Sequence, residues 1–395
     1  MKIAFFITFL LIVCNSNYAQ QQHAQPQAQY ITTIPFKQIM GGVILVKAAL
    51  FNSNDSLQFI LDTGSGGISI DSSTCVEHNI LINSSNKSIS GIGGKSTVSF
   101  TSTTSICFPN LKLPPMPFHV YNYSQLSSIY GEKIDGVIGY AFFSKYIIKI
   151  NFDRSLLMVY SPGKIKYPFK GNLLHVKIQP LPLHAVSFKM RKKTQFNFFL
   201  DTGAGLPLLL SNQLVTDSNI LSANQKTFTT QAEGLGGKKQ MQLTVLKEVK
   251  MGPYKFKQVP TYLFKDDLNV IAYPLSGGLI GNEILRRFNL IINYPQNEIH
   301  LSPNLYFDAP FEYGYAGLTI ALLNDRIVVE DVIAGSPAAV AGFQIGDEMI
   351  SVDNQFSGNL QQYKNLLQEP DKIIKSIINR AGILIELEMK TICIL

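Results

Sequence analysis

Two carboxylic acids sit in matching settings. Asp62 closes the apolar run Phe59-Ile60-Leu61 and is followed by Thr63-Gly64, while Asp201 closes Phe198-Phe199-Leu200 and is followed by Thr202-Gly203. Such a run reads as a buried strand, and a lone carboxylate at its end is costly to bury. Two of them face to face resolve that cost, because like charges in contact cannot both ionise and the pair keeps one proton between them. One member then serves as general base and the other as general acid around a single water. A single Asp-Thr-Gly triplet is usually a surface turn. A second copy behind the same kind of apolar run is what points to chemistry.

The elements that must position the acids repeat with them. Strands are expected over 43–51 and 57–61, separated by the polar turn 52–56, and again over 185–190 and 196–200 around a turn at 191–194. Gly91-Ile92-Gly93-Gly94 is answered by Gly234-Leu235-Gly236-Gly237, and each leads into an alternating strand, 96–101 and 239–245. Val137-Ile138-Gly139 is answered by Leu279-Ile280-Gly281, and the strand 147–152 by 290–294. Asp201 follows Asp62 by 139 residues, Gly234 follows Gly91 by 143, and Gly281 follows Gly139 by 142. So steady an offset means one domain plan used twice.

Rival chemistries lack their motifs. Gly94-Lys95-Ser96 resembles the end of a phosphate-binding loop, but that loop needs a glycine where Ile89 stands. Neither a Gly-x-Ser-x-Gly elbow nor a His-Glu-x-x-His pair occurs, and the six histidines are scattered. No metal and no organic cofactor is expected. The net charge of +7 is dispersed, without a basic tract interleaved with aromatics, which argues against nucleic-acid binding.

The chain of 395 residues, 46% hydrophobic, suffices for several packed domains. Lys2, the apolar run 3–13 and the polar stretch 15–19 have the three parts of a secretory signal, with cleavage expected after Ala19. That run is too short to span a bilayer, and no later stretch offers about twenty apolar residues. A periplasmic or extracellular protein is therefore expected, with a Gln/Ala-rich mobile leader over 20–29. Lipid attachment at Cys14 is the lesser alternative, since Val13 stands where a small residue is needed. Cys75, Cys107 and Cys393 are too few for a dense disulfide framework or a paired-cysteine zinc site, and a Cys75–Cys107 bridge stays open.

After Pro303 the pattern changes. Strands are expected over 315–320, 327–333, 349–352 and 383–389, with a helix over 360–367. Ser336 is placed to cap a short helix that begins at Pro337 and ends at Gly342. The result is a small α+β module over 308–395.

The paired triplets, each with its later apolar-apolar-Gly triplet, resemble aspartic proteases of the pepsin and retropepsin type over residues 30–304. The resemblance implies a mainly β chain with two tandem retropepsin-like lobes, 30–162 and 163–304, arranged as in bilobal acid proteases. It makes Asp62 and Asp201 the catalytic dyad, braced by Thr63 and Thr202, with Gly64 and Gly203 passing close beneath the carboxylates. Gly91, Ile92, Gly93, Gly94 and Gly234, Leu235, Gly236, Gly237 resemble flaps over a peptide substrate. One flap per lobe favours fused retropepsin-like halves over a pepsin. Ala204 stands where pepsins carry a hydroxyl, as in retroviral proteases, and no flap tyrosine is identified.

The last module is similar to PDZ domains through Gly335-Ser336-Pro337-Ala338-Ala339 and Gly346-Asp347-Glu348-Met349-Ile350. Its carboxylate-binding loop is expected at Gly317, Leu318, Thr319 and Ile320, with Thr319 where a glycine is usual. Together the resemblances imply an exported endopeptidase, active as a single chain on peptide or protein substrates, whose PDZ domain recruits substrate or another partner. The alternative is a non-catalytic peptide-binding scaffold. Against it stands the pair of buried acids, from which a binding cleft gains nothing.

Overall fold

The structure, a computed structural model, describes residues 25–392 apart from 179–180, 190–192, 223, 235 and 312–314. The expected signal over 1–19, Cys14, Leu235 and Cys393 lie outside the described residues. The chain is mostly β, in two protease-like regions followed by a PDZ region.

In the first lobe the strand Leu57–Leu61 lies between two neighbours, antiparallel to Ile44–Leu50 and parallel to Gly136–Ile138. A strand paired on both sides and buried on both faces must be apolar almost throughout, and Leu57, Phe59, Ile60 and Leu61 are buried. The short strand Gly136–Ile138 then pairs antiparallel with Ile68–Asp71, which runs parallel to His119–Tyr121. The second lobe repeats this arrangement. Lys193–Leu200 runs parallel to Gly278–Ile280, which pairs antiparallel with Leu208–Ser211, itself parallel to Tyr254–Phe264. The registers set Ile138 beside Leu61 and Ile280 beside Leu200. Each acid's own amide then donates to the same triplet, Asp62 N to Ile138 O at 3.0 Å and Asp201 N to Ile280 O at 2.9 Å.

A shared sheet joins the lobes. Its strands run in the order Asn172–His175, Glu298–Pro303, Phe288–Asn293, Ile147–Asn151, Leu156–Tyr160 and Tyr30–Gln38. The junction is the antiparallel pair that sets Ile148 opposite Ile292 and Ile150 opposite Leu290. All four side chains are buried in one hydrophobic core that continues from lobe to lobe.

One expectation changes and one open question closes. The described end of the leader is not free: Ala28 N donates to Lys164 O at 2.9 Å and Lys164 N to Pro26 O at 2.7 Å, which ties 26–28 to the segment leaving the first lobe. Cys75 and Cys107 are free thiols. Cys75 lies in the helix Ser72–Glu77 with its side chain in the core, whereas Cys107 sits on the partly exposed face of Ile106–Phe108, between two buried residues.

The PDZ domain is a sheet in the order Leu318–Leu323, Arg326–Val332, Glu348–Val352, Ile373–Arg380 and Ile383–Lys390, with helices Pro337–Ala341 and Leu360–Leu367. Ile373–Arg380 lies outside the four strand ranges expected for this module. The first strand starts three residues later than expected, because Gly317 turns with a left-handed backbone and its carbonyl accepts from Ile333 N at 2.9 Å. Ser336 caps the short helix by accepting from Ala339 N at 3.2 Å. This domain has a core of its own, built on Ile320, Val329, Met349, Tyr363 and Ile378.

Among the residues that hold the linker to the PDZ domain, Arg287 of the second lobe makes the most hydrogen bonds. Buried Arg287 donates to Phe307 O and Pro310 O, each at 3.2 Å, and its guanidinium lies 4.0 Å from the centre of the Phe311 ring. Hydrogen bonds from a charged donor are each worth about 1.5–3 kcal/mol, and a lysine does not reproduce the planar fork. Arg287→Lys is therefore expected to expose the linker, seen as roughly a hundredfold faster chymotryptic cleavage at Tyr306 or Phe307 under native conditions. Unchanged cleavage kinetics would show that the linker is held by other contacts.

Candidate active site

The two acid loops are locked together by their threonines. Thr63 N donates to Thr202 Oγ1 and Thr202 N to Thr63 Oγ1, both at 3.0 Å. The hydroxyls pass the interaction across the lobe boundary: Thr63 Oγ1 donates to Leu200 O at 2.7 Å and Thr202 Oγ1 to Leu61 O at 2.9 Å. Both threonines are buried, so each hydroxyl must donate once and accept once, and the reciprocal pair satisfies both requirements.

This lock sets the carboxyl groups against each other, and they hydrogen-bond directly. Each also accepts from its own loop: Gly64 N donates to Asp62 Oδ1 at 2.6 Å, and Gly203 N and Ala204 N donate to Asp201 Oδ1 at 2.9 and 3.1 Å. A side chain on Gly64 would collide with the Asp201 carboxyl, and one on Gly203 with that of Asp62. The glycines are thus required by the acid of the opposite lobe. Burial, then the charge of Asp201 and the hydrogen bond with it, holds Asp62 well above the usual carboxylate range. Asp201 is raised by burial, while the hydrogen bond from Asp62 and its loop amides act to lower it. Both carboxyls are thus raised in contact, and the pair holds one proton between them.

The glycine segments form hairpins that meet. In the first lobe Ser88–Gly91 pairs with Gly94–Thr97, with Ile92 and Gly93 at the turn. In the second, Phe228–Gly234 pairs with Gly237–Met251, so that Gly234 and Gly237 face each other and Gly236 lies in the turn. A Cβ on Gly93 would overlap the Gly237 carbonyl, and one on Gly236 would lie 2.5 Å from Gly94 N. Ile92 packs into a second-lobe cluster that includes Ala204, Leu206 and Ala232. Each flap thus closes against the opposite half.

The first lobe adds residues that the sequence did not single out. Tyr123 and Tyr130 sit in a buried cluster with Val43 and Ile60, and Tyr123 OH is 2.6 Å from Ser69 Oγ. Burial pushes both phenols up, with a further contribution from the charge on Asp62. No periodic pattern marks these tyrosines; only their proximity to the dyad does. Gly317 and Ile320 are buried, Leu318 is half-buried and Thr319 is exposed. They line a cavity of about 280 Å³ whose other wall includes Gly205 and Leu206, just beyond the second acid loop. Among the described residues no cluster of His, Cys, Asp and Glu is arranged to hold a metal ion.

Two lobes of one plan, each giving an Asp-Thr-Gly loop to a shared carboxyl pair beneath its own flap, define a bilobal acid-dyad fold. The aspartyl protease family matches the chain twice, over 46–142 and 186–284, and the PDZ domain matches over 328–377. The chain belongs to the aspartyl protease family, with two retropepsin-like units in tandem and a C-terminal PDZ domain. No curated protein matches it.

Thr63→Ala removes an acceptor for a buried N–H and a donor to a buried carbonyl, so urea unfolding is expected to show a loss of about 3 kcal/mol. Thr63→Ser keeps the hydroxyl and should lose about 1 kcal/mol, the value of the methyl. Equal losses would mean that the hydroxyl network is not what braces the loops.

The raised Asp62 also makes a prediction about stability. A folded-state pKa above the unfolded one means that the group's stabilising contribution is complete below the unfolded value, about 4, and is lost as pH rises through the folded value. Asn mimics the protonated form at every pH. The melting temperature of Asp62→Asn, relative to that of the unsubstituted protein, should therefore climb as pH rises from about 4. A difference that stays flat with pH would refute the raised pKa.

Proposed function

We propose that this protein is an aspartic endopeptidase that hydrolyses peptide bonds with a water held between Asp62 and Asp201. The observation that carries this reading is the directly hydrogen-bonded carboxyl pair, both members raised by burial, beneath two meeting flaps. The charged member of the pair takes a proton from the water as it attacks the scissile carbonyl, and the protonated member gives its proton to the carbonyl oxygen. The tetrahedral intermediate then collapses as a proton reaches the leaving amine, and the pair returns to its singly protonated state. No covalent intermediate forms. The extended substrate lies between the acid loops and the flaps, whose backbone groups can pair with it as added strands do.

The dyad needs no second chain, because both triplets lie in one polypeptide. The charged, apolar and polar segments of 1–19 support export, which would place the enzyme outside the cytoplasm.

Digestion of a peptide library from acidic to neutral pH, over a range of protein concentrations, tests the reading. The rate should follow a bell-shaped pH profile, limited on the acid side by a second proton on the pair and on the alkaline side by loss of the first. It should be unchanged per molecule on dilution, and should fall at least about 1000-fold in Asp62→Asn and Asp201→Asn. Cleavage at the original rate by either variant would refute the dyad. A peptide that binds but is never cut would instead favour a scaffold.

A further inference from the structure

The edge strand of the PDZ sheet, Leu318–Leu323, and the helix Leu360–Leu367 flank the groove into which an extended peptide would add as a further strand. In this chain the groove is occupied from strand to helix by a piece of the first lobe. The helix Ser124–Tyr130 and Gly131 lie there: Ser128 Oγ donates to Leu322 O, Gln361 Nε2 donates to Tyr130 O at 3.1 Å, and Lys364 Nζ donates to Ile129 O. A Cβ on Gly131 would lie 2.8 Å from Leu360 Cδ2, so the fit is close. Only the far end of the groove, around Gly317 to Ile320, stays open, into the cavity shared with the protease lobes.

Lys364 points to a substitute occupant. The residue is 7% exposed, burial pushes its amine down to about 8 against the opposing pull of the Glu330 charge, and its hydrogen-bond acceptor is a neutral backbone carbonyl. A buried cation is better served by a carboxylate. The same domain also holds a flap. Lys238, next to the tip residue Gly237, makes a 2.9 Å ion pair with Glu330 on Arg326–Val332. A partly exposed pair is a weak tether alone. It acts here because the flap it holds rests against the opposite flap, and because the first-lobe helix keeps the PDZ domain seated.

We propose that residues 124–131 are a built-in occupant of the PDZ groove, and that a peptide ending in a free carboxylate displaces them, unseats the PDZ domain from Lys238 and lets the flaps part. The PDZ domain is then a ligand-operated gate on the cleft. Its effect on hydrolysis rests on the peptidase reading above, whereas displacement and flap opening do not. A tethered occupant competes at millimolar effective concentration, so the apparent affinity for an outside peptide is lowered by the fraction of time the groove is free.

The test uses the full-length Asp201→Asn protein and a fluorescent octapeptide with an apolar last residue, as the free acid and as the C-terminal amide. Anisotropy should show the acid binding at least about tenfold more tightly than the amide. Adding Ser128→Ala and Gln361→Ala, which removes two hydrogen bonds of the occupant, should tighten binding of the acid roughly tenfold. Hydrogen exchange of 88–97 and 237–251 should speed up when the acid binds. In the unsubstituted enzyme the acid should raise the rate on a short quenched substrate several-fold. No binding at millimolar peptide in either background, equal binding of acid and amide, or binding that leaves flap exchange unchanged would each overturn the gate. If the enzyme cuts nothing at any pH, the peptidase reading fails while the binding and exchange results still judge the gate.

Discussion

Everything in the protease region depends on placing two acids where neither is stable alone. Burial raises both carboxyls, and contact leaves room for one charge between them, so the pair is tolerable only if its geometry is held from both sides. The threonine network supplies that hold. Because each hydroxyl donates to the strand of the other lobe, neither loop reaches its final geometry without its counterpart. The parallel strands Gly136–Ile138 and Gly278–Ile280 then fix the amide of each acid from behind. The symmetry of the fold is thus a requirement of the pair.

The carboxyl pair keeps that symmetry, since each acid is favoured in its charged form by amides of its own loop, Asp62 by Gly64 and Ser65 and Asp201 by Gly203 and Ala204. Burial raises both, and the two share one proton. It is the surroundings that diverge: the first lobe carries the helix that lies against the PDZ strand, and the second carries the flap residue that pairs with the PDZ domain.

What could be read in the sequence was whatever repeats. The Asp-Thr-Gly triplets, the glycine hairpins and the apolar-apolar-Gly strands each appear twice at a nearly constant offset, so their pairing followed from pattern alone. The PDZ elements were legible through Gly, Ser and Pro at capping and turn positions. What stayed hidden lies between units. Lys364 sits on an otherwise ordinary short helix and reads as solvated, yet it is buried against the first lobe. Arg287, Tyr123 and Tyr130 likewise matter through neighbours far away in sequence, and single-chain periodicity carries no such information. The free thiols show the same limit, since the facing directions of Cys75 and Cys107 are set by tertiary packing.

The strand pair that sets Ile148 against Ile292 and Ile150 against Leu290 has a mechanical consequence. A core that continues unbroken from lobe to lobe leaves no hinge about which the halves can swing, so the floor of the cleft is a fixed gauge. Width is then set at the roof alone, by hairpins thin enough to bend. A gauge of that kind accepts a single extended strand and refuses a folded surface, however well its sequence matches. For the proposed peptidase, the bond cut would then be chosen first by where a target chain is locally unfolded, and only afterwards by its side chains.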